Sequence, residues 1–132
     1  MVTNNPDPAE RWRVVVEFYG EFAAQQHWEF LAPMVRLAEW VSAQPMAAKL
    51  YPGTSHEWLT VSLQPGYQPD LPFFVACAGA DGQFRCQLYG AVGRLLHTWL
   101  GAVDQAPAAF TEFVGRLEVV PPIHPLQQTA RP

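Results

Sequence analysis

The dipeptide Asp81-Gly82 is flanked by two β-prone runs, and Cys77 and Cys86 lie equally far from it on either side. Asp-Gly is one of the strongest short signals for a two-residue turn joining antiparallel strands. With that turn the pairing follows by counting: Ala80 faces Gln83, Gly79 faces Phe84, Ala78 faces Arg85, Cys77 faces Cys86 and Phe74 faces Tyr89. One side of the hairpin then carries Val75, Cys77, Gly79, Phe84, Cys86 and Leu88, and the other carries Phe74, Ala76, Ala78, Arg85, Gln87 and Tyr89. The first side is apolar and is expected to face a core. Cys77 and Cys86 would form a close, non-hydrogen-bonded pair, whose geometry permits a disulfide. Two buried, reduced thiols are the plainer expectation, because free cysteine is commonly core.

Prolines punctuate the rest of the chain. Asp7-Pro8-Ala9-Glu10 reads as a helix start, with Asp7 as cap, Pro8 in the first turn and Glu10 completing a capping-box pattern. Trp12, Val15, Val16, Tyr19, Phe22 and Ala23 follow at helical spacing, although Trp12, Val14, Val16 and Phe18 also alternate as a strand would. The cap favours helix. A second helical pattern spans 27–43 and must begin or kink near Pro33. Residues 46–56 read as irregular, with Pro52-Gly53 as a turn. Residues 57–64 alternate as a strand with Leu59, Val61 and Leu63 on one side, and 65–70 read as a loop. The hairpin follows over 72–89. Residues 94–100 fit helix or strand; the bracketing Gly93 and Gly101 favour strand. Phe110, Phe113, Val114 and Leu117 mark a final helix opening near Ala106-Pro107.

This order predicts an α+β fold: two N-terminal helices, an antiparallel meander of three to four strands, and a C-terminal helix packed on one sheet face. The expected limits are a single α+β domain over 1–120 and a proline-rich extended tail over 121–132.

Composition narrows the possible functions. Of the 132 residues, 49% are hydrophobic but only 15% are charged, against about 25% in ordinary domains. Much of the surface must therefore be neutral or apolar. Five Trp, eight Phe and four Tyr add potential interface anchors. The basic residues are scattered and the net charge is −4, which argues against nucleic-acid binding. No apolar run approaches the roughly 20 residues of a membrane span. Residues 1–8 lack the basic and apolar regions of a signal peptide, so a cytoplasmic location is expected.

Catalytic signatures are missing: there is no nucleophile elbow, phosphate-binding glycine loop or zinc-protease helix motif. His27, His56, His97 and His124 lack ligand spacing among themselves, and the two cysteines lack zinc-site spacing. No metal or cofactor is expected. Ser55, His56 and Glu57 supply nucleophile-type groups, but adjacent side chains rarely converge and a turn hydroxyl before a strand is the simpler explanation. The sheet side bearing Trp58, Thr60, Phe74, Arg85 and Tyr89 is a candidate contact platform of rings over alanines, although cover by the last helix or the proline-rich tail of the same chain is the plainer expectation. The layout is similar to that of small acidic α+β proteins, including immunity proteins that neutralise toxins, at the level of the fold alone. The preferred expectation is a non-enzymatic protein-binding domain, homo-oligomeric or bound to a protein partner. The alternative is a small enzyme or ligand-binding domain with a pocket near Ser55, His56 and Glu57.

Overall fold

A computed structural model describes residues 7–66 and 70–121. The expected tail beyond Pro121 and the middle of the expected loop lie outside them. Helix α1 spans Pro8–Ala23, a 3-10 turn at Glu29–Leu31 leads into α2 at Ala32–Ser42, and α3 spans Ala106–Glu118. Between them run β1 (Tyr51–Ser55), β2 (Trp58–Ser62), β3 (Phe73–Ala78), β4 (Gln83–Tyr89) and β5 (Leu95–Ala102). The strands form one antiparallel sheet in sequence order.

The helices begin where the sequence signals them. The Asp7 carboxylate accepts the Glu10 N–H at 2.9 Å, closing an otherwise orphaned donor. Glu10 does not reach back as a capping box; its carboxylate holds Arg13 instead. Pro33 and Pro107 both sit in first turns, where a missing N–H costs nothing, so α2 needs no kink.

All three helices contribute to a core on one sheet face. Trp12 and Tyr19 of α1, Met34 and Val41 of α2, and Phe110 and Phe113 of α3 are buried with Leu59, Val61, Phe74, Cys86 and Leu88. Phe74 meets Phe110 edge-on at 5.2 Å and lies 5.8 Å from Phe113. Burying a large apolar side chain of this kind stabilises by about 1.5–3 kcal/mol.

The sheet corrects the sequence reading in two places. First, 46–56 is not irregular: it holds a 3-10 segment, Pro45–Lys49, and the whole of β1, giving five strands rather than three to four. Pro52 and Gly53 lie within β1 rather than in a turn. An edge strand tolerates proline because one row of its N–H groups has no partner strand.

Second, the β3–β4 register is shifted by one residue. Phe73 faces Tyr89, Phe74 faces Leu88, Ala76 faces Cys86 and Cys77 faces Arg85. The loop has three residues, not two. The Gly79 N–H donates to the Gln83 carbonyl at 2.7 Å, and the Gly82 N–H closes a turn on the Gly79 carbonyl at 3.1 Å. Gly82 has φ +79°, whereas Asp81 stays out of the left-handed region. This is a type I turn followed by a left-handed glycine bulge. A two-residue type I′ turn would require Asp81 itself to adopt positive φ. The Asp81 carboxylate instead accepts the Gln83 N–H and pairs with Arg85.

One step of slip exchanges the faces of a strand. Phe74, Ala76 and Ala78 therefore point to the helices and are fully buried, while Phe73, Val75 and Cys77 take the other side. Cys77 and Cys86 do not face each other; both are free thiols on opposite sheet faces. Leu59, Val61, Cys86 and Leu88 face the core as the sequence suggested.

Phenylalanine truncation reads this sidedness. Phe74→Ala is expected to cost about 3–5 kcal/mol, the usual toll for a fully buried ring, and Phe73→Ala clearly less. Urea denaturation of the two variants checks it; equal losses, or a larger loss for Phe73→Ala, would contradict the register.

Candidate binding groove

The sheet face turned away from the helices is organised in rows by the register. One row reads Tyr51, Ser62, Phe73, Tyr89, Leu95 across the five strands. The next reads Gly53, Thr60, Val75, Gln87, Thr98. A third contains Ser55 and Trp58, followed by Cys77, Arg85 and Leu100. Rings thus stand on both sides of a middle row of smaller side chains. The result is a cavity of about 760 Å³ lined by Tyr51, Gly53, Ser55, Trp58, Thr60, Ser62, Phe73, Val75, Gln87 and Tyr89 among others.

Local packing fixes the walls. Phe73 and Tyr89 stack at 5.2 Å with their planes 20° apart, and the Tyr89 hydroxyl donates to Gln87 Oε1 at 3.0 Å. The Arg11 guanidinium lies over the Tyr51 ring at 4.2 Å while donating to the Leu50 carbonyl. Gly53 supplies depth: a Cβ there would stand 2.8 Å from Thr60 Oγ1, so a larger residue would force Thr60 aside.

Among the described residues, no carboxylate, imidazole, ammonium or guanidinium lines the cavity. The described lining can hold apolar groups and offer neutral hydrogen bonds, and it contains no side chain of the usual acid–base type. Of the sequence candidates, Trp58, Thr60 and Tyr89 line the groove. Arg85 shares the face but is exposed and tied to Asp81 beyond the lining. Phe74 is removed from the candidate platform: the shifted register buries it among the helices, and Phe73 takes the place opposite Tyr89.

Ser55 lines the cavity, but His56 and Glu57 form the β1–β2 turn outside it. His56 takes φ +55° there and makes no hydrogen bond or ion pair among the described residues. Among the described residues no group of three or more His, Cys, Asp or Glu could hold a metal ion, and no helix is long and apolar enough to cross a membrane.

Tyr51, Gly53, Phe73, Val75 and Gln87 were not foreseen together as a site. Gln87 was assigned to the right face, whereas Phe73 and Val75 required the shifted register and Tyr51 and Gly53 required β1. The chain matches no family model, and no curated protein or solved structure is significantly similar to it.

The two thiols are inert by environment. Burial pushes Cys86 up from the ordinary 9.0 to about 12. Cys77 rises to about 12 mainly by burial, with Glu57 adding and Arg85 opposing; its Sγ–H donates to the Glu57 carbonyl at 3.2 Å. Because the folded values lie above the unfolded ones, the stability linked to these thiols is complete below about pH 9 and is lost as pH rises towards 12. Burial also raises Tyr19, which acts in the same direction. The urea midpoint in reductant is expected to hold level from pH 7 to 8 and fall above about pH 9. A midpoint unchanged through pH 11 would show that the thiols are not buried as described.

Proposed function

We propose that this chain is a non-enzymatic protein-binding domain that takes an uncharged, apolar segment of a protein partner on the sheet face opposite its helices. The observation that carries the reading is the groove itself: aromatic walls, a floor of smaller neutral residues and no charge among the described residues of the lining. Aromatic side chains are the usual anchors of interfaces, and desolvating this lining costs little because it has no ion to strip of water. The low charge content of the whole chain fits a protein that keeps company. Two buried free thiols suit a reducing compartment, and the cytoplasm is the proposed location.

A second reading is favoured by one observation. The cavity volume, about 760 Å³, falls within the roughly 300–1,000 Å³ of small-molecule sites, so an uncharged small ligand is the alternative occupant.

Val75→Arg separates these readings from an idle surface, because it places a long charged side chain in the middle row without touching the core. Native extract passed over immobilised wild-type protein should leave a bound protein that the variant fails to retain, with circular dichroism unchanged. Identical retention by both proteins would count against the groove. A small molecule released from denatured wild type and absent from Val75→Arg would favour the second reading.

A further inference from the structure

We infer that the outer edge of β5 pairs with β5 of a second copy of this chain, antiparallel about a twofold axis at Thr98. The two edges of the sheet differ. β1 is five residues long and is interrupted by Pro52 and Gly53. β5 is eight residues long, Leu95–Ala102, with no proline and no charged residue. Folded proteins blunt exposed edges with charge, proline, brevity or a bulge; β5 has only a bulge, at Leu95–Leu96, and runs regularly from His97 to Ala102. It is also oily: Leu95 is 50% exposed, Leu96 44% and Leu100 52%, with the neighbouring Val92 at 67%.

The hydrogen-bonding pattern says which groups await a partner. Counting from the Gly79–Gln83 bond, even-numbered residues of β4 turn their main-chain groups to β5. Their partners are His97, Trp99 and Gly101. Thr98 and Leu100 therefore present N–H and C=O outward. His97 against Phe113 at 5.3 Å and Trp99 against Phe84 at 6.3 Å hold the strand in place from the helix side.

Self-pairing about Thr98 makes these features complementary. Thr98 faces its own copy, and Leu100 of each chain meets the bulged end of the other, where Leu95 and Leu96 lie. Arg94 lies before the bulge, its carbonyl held by the Gly90 N–H, so it caps the end of the seam where the second copy's Asp104 lies. Both charges are exposed, and neither has an ion-pair partner among the described residues. The antiparallel arrangement thus sets opposite charges together at both ends and none in the middle. A parallel arrangement would set Arg94 beside Arg94. The dimer would be a continuous ten-stranded sheet carrying both grooves on one face, and it stands whether or not the groove reading does.

Sedimentation equilibrium on the full chain tests this. Wild type should be dimeric, and Leu100→Lys, with unchanged circular dichroism, should be monomeric. Arg94→Asp should raise the dissociation constant by about tenfold or more, and adding Asp104→Arg to it should restore dimerisation. Thr98→Cys should form an interchain disulfide on mild oxidation, since directly opposed residues lie within bridging distance, whereas the exposed Thr111→Cys should not. A wild-type monomer at every concentration would overturn the inference. So would a dimer that persists in Leu100→Lys while Thr98→Cys stays uncrosslinked.

Discussion

A single glycine held at positive φ decides which side of this protein is which. Gly82, at +79°, lets the β3–β4 loop close with three residues, and the resulting register turns Phe74 inward. An L-residue in that conformation is strained by roughly 1–2 kcal/mol, so the loop belongs to glycine. The Asp81 carboxylate then bonds within the turn it occupies. Phe74 reaches Phe110 and Phe113, and the fully buried Ala76 and Ala78 occupy the same face beneath the helices. The rest of the packing is built around that choice.

The opposite face inherits the consequence. Because β3 sends Phe73 and Val75 outward, a ring stacks on Tyr89 and a compact side chain sits between Thr60 and Gln87. Rows of rings flanking a row of smaller groups, joined by Gly66 from the β2–β3 connection, make a trough. Among the described residues its lining is neutral. At the far edge β5 continues the same sheet with its leucines exposed.

Much of the framework was legible in the chain. Asp7-Pro8 announced α1, the alternation of Leu59 and Val61 announced β2, and the stripe from Phe110 to Leu117 announced α3. Gly93 and Gly101 were sound guides to β5, which the structure confirms as a strand. What escaped reading had a physical cause. β3 is apolar at every position from Phe73 to Ala78, so its pattern does not distinguish inside from outside. Asp-Gly supports both the two-residue turn and the three-residue loop, and the pattern of Cys77 and Cys86 favoured the wrong one. β1 was hidden by Pro52-Gly53, residues that punctuate most chains but are tolerated on an edge. The candidate site is affected accordingly: Trp58, Thr60 and Tyr89 line the groove, Phe73 stands where Phe74 was expected, and Tyr51 and Gly53 had no strand to place them.

The most direct test is cross-strand nuclear Overhauser contacts between α-protons in labelled protein. Opposed residues in non-hydrogen-bonded pairs bring their α-carbons to about 4.5 Å, and their α-protons closer still. The observed pairing is expected to give contacts between Ala76 and Cys86 and between Phe74 and Leu88. A contact between Cys77 and Cys86 in their place would contradict the register, and with it both the buried Phe74 and the groove.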